Sequence, residues 1–221
     1  LKDDTKKEAN MKEKMKKIVH WLGHAAFKLE SENGVVLYID PYQLPENLQK
    51  ADAILITHDH FDHLSQEDVS KVQKEDTVIF GPTSVGEKVK LKFHKMSPGD
   101  LADFREIKIE AVPSYNTNKN FHPKENENLG YIVTIDGLRI YHAGDTDHIP
   151  EMKDIKADIA LLPVGGTYTM NVQEAAEAAR VIKPAIAVPM HYGTVAGSMN
   201  DGLTFRKICS HCDVEVLPLE K

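Results

Sequence analysis

From about Lys17 onward, the apolar positions fall in short runs separated by turn residues, which is the spacing of strands. Ala25–Glu30 and Val35–Asp40 flank Asn33-Gly34, a pair that tolerates positive φ, and together they predict a hairpin. Leu129–Asp136 and Leu138–Ala143 repeat the arrangement around Asp136-Gly137. The unbroken apolar run Ala53–Thr57 predicts a strand buried on both faces. Thr77–Gly81, Ile107–Pro113, Asp158–Pro163, Ala185–Pro189 and Val214–Leu217 read as further strands. Helical spacing is found at Ser65–Lys74, at Leu203–Cys209 and most clearly at Asn171–Lys183. In the last of these, Asn171 can cap the free amides while Glu174 reaches back, and Pro184 closes the far end. Hairpins dominate the first half and strand–helix–strand alternation the second. The pattern predicts two sheets packed face to face with helices outside, without an internal repeat.

Two segments break this pattern. Residues 1–16 are dense in lysine and acid without apolar periodicity, and are expected to form a solvated, flexible extension to a single domain over 17–221. Ser114–Asn128 is a long polar stretch, and loops of this length within a domain usually carry function. The 221 residues are 41% hydrophobic and 28% charged, enough for one sizeable core. With 27 basic and 34 acidic side chains the net charge is −7, which makes nucleic acid an unlikely partner. No apolar run reaches the roughly 18–20 residues of a membrane span. Cys209 and Cys212 are too few for a disulfide framework and are read as helix-end thiols without function. They favour a cytoplasmic location, while the start at Leu1 leaves export after loss of a leader open.

The chemistry is concentrated in Thr57-His58-Asp59-His60-Phe61-Asp62-His63, directly after the buried run. Three imidazoles and two carboxylates beside a core are costly to desolvate unless a cation neutralises them. His58 and His60, two apart on extended backbone, point to one side. Asp62 and His63 fall at the following bend, where a second ion could be held. Such mixed ligands suit zinc, with manganese or iron as alternatives. Asp145, after Gly144, and His191, in Pro189-Met190-His191-Tyr192-Gly193, each emerge at the end of an apolar strand and could complete the set.

The motifs THDHFDH, YHAGDT and PMHYGT resemble those of the metallo-β-lactamase superfamily. WLGHAAF and VGGTYTM narrow the resemblance to the lactonase-like, metal-dependent hydrolase branch that includes ascorbate-6-phosphate lactonase-like proteins. The resemblance spans about Met15 to Leu217 and implies a four-layer αββα sandwich with two metals at one edge, between the sheets. It assigns His58 and His60 to the first metal, Asp62, His63 and His191 to the second, and Asp145 to both. Where many members place a third first-metal histidine, this chain has Pro113-Ser114-Tyr115-Asn116, which leaves Asn116 or the nearby His122 as the candidate.

The expected activity is hydrolysis of a small ester, lactone or phosphorylated metabolite by a metal-bound hydroxide, with Asp62 and Asp145 as catalytic carboxylates. A phosphodiesterase or nuclease on the same metal pair and a non-catalytic metal-binding module are the competing readings. His24, Tyr115, His148, Tyr168 and Tyr192 are candidates for the substrate pocket, and Lys119 and Lys124 could attract an anionic substrate. His142 is read as structural or as a support behind the ligands, because strand alternation turns it away from Asp145.

Overall fold

A computed structural model describes residues 2–220. Helix α1 (Lys2–Ile18) leads into a six-stranded sheet that follows sequence order: β1 (Val19–Gly23), β2 (Ala26–Glu30), β3 (Val36–Ile39), β4 (Ala53–Leu55), β5 (Val78–Gly81) and β6 (Lys92–Lys95). The first three strands form an antiparallel meander. The pairs from β3 to β6 are parallel, with α2 (Gln66–Val72) and α3 (Thr83–Gly86) in the last two crossovers. A seven-stranded sheet follows. Its antiparallel half comprises β7 (Leu101–Phe104), β8 (Ile107–Pro113), β9 (Leu129–Ile135) and β10 (Leu138–His142). Its parallel half adds β11 (Ile159–Pro163), β12 (Ile186–Met190) and β13 (Asp213–Val214), with α4 (Val172–Ile182) and α5 (Asp201–Ile208) in the crossovers.

The layers follow from residue alternation. In β3, Leu37 and Ile39 enter the main core, together with Tyr131, Val133 and Ile140 of the other sheet. Val36 and Tyr38 face the opposite way, into a second cluster with Val69 and Val72 of α2 and Val85 of α3. Strands buried on both faces must read as continuous apolar runs, which is why β4 and β12 stand out in the sequence. On the far side, Ala175, Ala178, Ala179 and Ile182 form the buried stripe of α4. Asn171 caps α4 by accepting from the Glu174 amide while the Glu174 carboxylate accepts from the Asn171 amide, the expected capping box. The molecule is the αββα sandwich that the motifs imply. Among the described residues no helix is long and apolar enough to cross a membrane.

Several local expectations need correction. α1 runs across the boundary placed at residue 16: Met15 and Ile18 are fully buried in the main core and Met11 packs against it. One apolar residue per turn near the end of a charged segment was too sparse to read as a buried face. The side chains of residues 1–8, which fall within the expected extension, lie outside the described residues. The edge strands β6 and β7 are not among the expected strands: lysines leave β6 without an apolar face, and β7 is only four residues long with none of them fully buried. The expected strand Val214–Leu217 pairs only at Asp213–Val214.

Candidate metal centre

Most of the candidate ligands converge at the sheet edge because they follow the ends of strands, while His122 arrives on the Ser114–Asn128 loop. β4 leads to Thr57 and the histidine-rich turn, β10 to Asp145, and β12 to His191. Gly144 allows Asp145 its position: its φ is +65°, and a Cβ there would come within 2.6 Å of the Leu129 carbonyl oxygen. His24, Asp40 and His191 also occupy left-handed backbone, at φ of 50°, 46° and 56°. Non-glycine residues hold that conformation only where surrounding contacts impose it, and such positions gather at functional sites.

Buried hydrogen bonds fix the imidazoles. Asp40, fully buried, accepts from the Thr57 amide (2.8 Å), the Thr57 hydroxyl (2.7 Å) and His63 Nδ1 (2.7 Å). Having given its hydrogen to Asp40, the Thr57 hydroxyl accepts from His58 Nδ1 at 2.9 Å. The Asn116 side-chain oxygen accepts from the His122 amide (3.0 Å) and His122 Nδ1 (3.1 Å), while its NH2 donates to the Tyr168 carbonyl (3.0 Å). All three rings therefore carry hydrogen on Nδ1 and turn Nε2 inward, the atom each would offer to a metal.

The inward atoms form three overlapping groups. His58, His60 and His122 make one, with His60 Nδ1 3.1 Å from His58 Nε2 and 3.2 Å from His122 Nε2. His24, Asp62, His63 and His191 make a second, and His58, His63 and Asp145 a third that joins them. Asp145 lies between them: Oδ2 is 3.1 Å from His191 Nε2 and 3.5 Å from His122 Nε2, and Oδ1 is 3.3 Å from His63 Nε2. His24 Nε2 donates to Asp62 Oδ2 at 3.1 Å, and its Nδ1 accepts from the Thr194 hydroxyl at 3.2 Å. The His24 carbonyl in turn accepts from Trp21 Nε1 and the His191 amide, which locks the two histidines together.

Burial and charge oppose each other throughout. Burial pushes His24 down to about 4 despite its bond to Asp62. Burial and the His63 charge hold His58 well below the ordinary imidazole value. For His63 burial is outweighed by Asp145 and Asp40, which hold it well above that value. For Asp145 burial is outweighed by His191 and His63, so it remains an ionised carboxylate. His63 Nε2, Asp145 Oδ1 and both ring nitrogens of His191 are buried without a hydrogen-bond partner. Unpartnered buried lone pairs are rare and costly. Here they lie side by side around ionised carboxylates, so the residues present fit a bound cation. A cavity of about 300 Å³ opens onto them, lined by His60, Phe61, Asp62, Phe121, His122, Asp145, Tyr168 and Val195.

The structure thus brings together His58, His60, Asp62, His63, Asp145, His191, His122 and His24. Asn116 anchors His122 instead of facing the cluster. Tyr168 lines the cavity. Tyr115 does not: its hydroxyl donates to Glu151 (2.8 Å), in a separate groove with Lys124. Tyr192 is buried and stacked on Trp21 at 5.2 Å, a core position. His148 is half-buried and lies outside the cavity lining. Lys119 is paired with Asp147 (2.5 Å) and Lys124 with Glu151 (2.9 Å), so neither is a free cation at the site. His142 donates from Nε2 to the Ala25 carbonyl (2.9 Å), the structural role expected of it. Sequence reasoning missed Asp40, whose signal was a carboxylate at a strand end like that of Asp145. It also passed over Phe61, Phe121 and Val195, which carry no chemical signal of their own.

A two-sheet sandwich with a His/Asp cluster at the strand ends is the architecture of the metallo-β-lactamase fold. The family model of the beta-lactamase superfamily domain matches residues 18–191. A UPF0173 metal-dependent hydrolase of Thermoplasma acidophilum is 37% identical over 191 residues, 79% of this chain and 82% of its own length. A second from Archaeoglobus fulgidus is 34% identical over 226 residues, 91% and 95% of the two chains. The crystal structure of a Parabacteroides distasonis protein described as a metal-dependent hydrolase superposes with a TM-score of 0.79 at 41% identity, covering 91% of this chain and 93% of that one. The chain belongs to the beta-lactamase superfamily, among its UPF0173 metal-dependent hydrolases.

Proposed function

We propose that the protein is a zinc-dependent hydrolase of small esters or lactones and holds two ions. His58, His60 and His122 would hold one, Asp62, His63 and His191 the other, with Asp145 shared. The observation that carries this reading is the set of buried, unpartnered ligand atoms on His63, His191 and Asp145, beside imidazoles whose Nδ1 atoms are already tied down. A ligand set of imidazole and carboxylate without sulfur suits zinc, with manganese and iron as competitors. Divalent ions at such a site acidify water and polarise the oxygen that gains charge in the transition state.

The chain's own residues supply the geometry. Asp40, Thr57 and Asn116 keep the imidazoles in the tautomer that presents Nε2. His24 donates to one oxygen of Asp62 and so fixes the carboxylate among the candidate ligands, with the other oxygen left for the ion. Loss of Lys119 and Lys124 to ion pairs removes the support for a phosphorylated substrate and favours a neutral ester or lactone. The test is metal counting by mass spectrometry together with hydrolysis of an ester and lactone panel, before and after chelation and zinc reloading. Two equivalents, zinc-restored activity and the loss of one equivalent in His122→Ala are expected. Full hydrolysis by the stripped protein, or two equivalents retained by His122→Ala, would overturn the assignment.

A further inference from the structure

The mouth of the cluster is apolar. Phe61 is 68% and Phe121 47% exposed, and with Tyr168 and Val195 they wall the cavity above the ligands. Leaving large aromatic rings in water forfeits the benefit of burial, roughly 25 cal/mol per Å² of apolar surface, so a cluster of them at one opening calls for an occupant. These rings are also held. Phe121 meets Tyr168 edge-on, with centroids 4.7 Å apart and planes at 88°, and Phe61 meets Tyr42 at 6.0 Å and 80°. Each is bonded to a candidate ligand: Phe61 lies between His60 and Asp62, and Phe121 precedes His122, whose amide donates to Asn116. The walls are therefore set by the same contacts that set the cluster.

Charge separates two classes of substrate. No lysine or arginine lines the cavity among the described residues. Lys119 and Lys124, on either side of His122 in sequence, are paired, Lys119 with Asp147 and Glu174 and Lys124 with Glu151, and Lys88 is paired with Asp59. A phosphate or carboxylate on the non-reacting end of a substrate would meet phenyl rings and give up its hydration without a partner. The volume, about 300 Å³, lies at the small end of ligand pockets.

We infer that the non-reacting part of the substrate is an uncharged apolar group of about phenyl size, held by Phe61, Phe121, Tyr168 and Val195 while the reacting carbonyl faces the cluster. This rests on the hydrolase reading above and adds specificity to it.

The zinc-loaded full-length protein is assayed on phenyl acetate, butyl acetate, 4-carboxyphenyl acetate and a phosphorylated phenyl ester. Binding of benzyl acetate and of its 4-carboxy analogue is followed in parallel by ligand-detected NMR, which reads recognition whether or not turnover occurs. Phenyl acetate should exceed the carboxylated ester at least tenfold in kcat/KM, equivalent to about 1.4 kcal/mol. Phe61→Ala and Phe121→Ala should each raise KM for phenyl acetate about three- to tenfold at unchanged metal content, and the Leu variants should restore most of the loss. Benzyl acetate should broaden on binding and sharpen in the double alanine variant. Equal or better use of the charged esters, or unchanged KM and broadening in the alanine variants, would overturn the inference and leave the hydrolase reading intact. Absence of any zinc-dependent hydrolysis would overturn the hydrolase reading, and the NMR arm would still decide on the apolar slot.

Discussion

Asp40 offers the sharpest test of how the cluster is organised, because it touches no candidate ligand atom that faces the cavity. Replacing it by Asn preserves shape and removes one acceptor. The carboxylate accepts from the Thr57 amide, the Thr57 hydroxyl and His63 Nδ1, all at 2.7–2.8 Å. An amide has one oxygen and cannot accept from all three. Keeping the oxygen on Thr57 N turns the NH2 toward His63 Nδ1, which must then become an acceptor and move its hydrogen to Nε2. That places an N–H where the ligand lone pair was. Loss of such an outer partner typically weakens metal affinity 10- to 100-fold, or about 1.4–2.7 kcal/mol. A charge-assisted hydrogen bond contributes roughly 1.5–3 kcal/mol to folding, so the apo protein should lose stability as well. Zinc affinity is measured by competition with a chromophoric chelator, and apo stability by urea unfolding. Weakening is expected chiefly in the equivalent assigned to Asp62, His63 and His191, since the His58, His60 and His122 group does not include His63. If Asp40→Asn binds both equivalents as the parent does, Asp40 does not control the His63 tautomer and the anchoring scheme is wrong.

Three further outcomes follow from the same geometry. Asn116→Ala frees both the amide and Nδ1 of His122, so one equivalent should weaken about tenfold by the same chelator competition while the second is unaffected. Met15→Ala should destabilise the protein by about 2–5 kcal/mol in urea unfolding, because Met15 is a fully buried core side chain; a change below about 0.5 kcal/mol would show that α1 is not docked. Burial raises the Asp52 pKa, but Lys74, the Val36 amide and Arg105 outweigh it and hold the carboxyl below its ordinary value. Because the folded value is the lower one, its contribution is present above the unfolded value of about 3.9 and fades as pH falls through the folded value. The stability gap between the parent and Asp52→Asn, read by urea unfolding, should therefore be wide at pH 7 and close on acidification below pH 4. A gap independent of pH would show that ionisation of Asp52 contributes nothing.

The sandwich was legible because its central strands are buried on both faces. β4, β11 and β12 have no exposed face to vary, so their apolar runs survive in the sequence and locate the strand ends. Edge elements follow the opposite rule. β6, with Lys92, His94 and Lys95, must resist pairing with other chains, and the charges that protect it also hide it from a pattern search. α1 escaped for a related reason: among its described apolar side chains, Met15, Ile18 and half-buried Met11 make the contact with the core, and lysines stand between them in the sequence.

The same contrast holds within the cluster. His58, His60, Asp62 and His63 come from one turn, because neighbouring ligands on a short rigid segment keep their spacing at low entropic cost, and local density is visible to sequence reading. Anchors work from outside and need only one good bond each, so they can come from anywhere in the chain. Asp40 lies 23 residues before the ring it holds, and Thr194 is 170 residues from His24. Asn116 shows how the two roles can be confused. It stands where a ligand is expected and has ligand-type atoms, yet its amide spends both ends on His122 and Tyr168. A neutral amide is a weak ligand but a good anchor, since its oxygen can accept from Nδ1 while its NH2 donates elsewhere. With the third imidazole supplied from a loop instead of a strand end, the Ser114–Asn128 segment has a definite role. It carries His122 to the cluster and sets Phe121 beside it at the mouth.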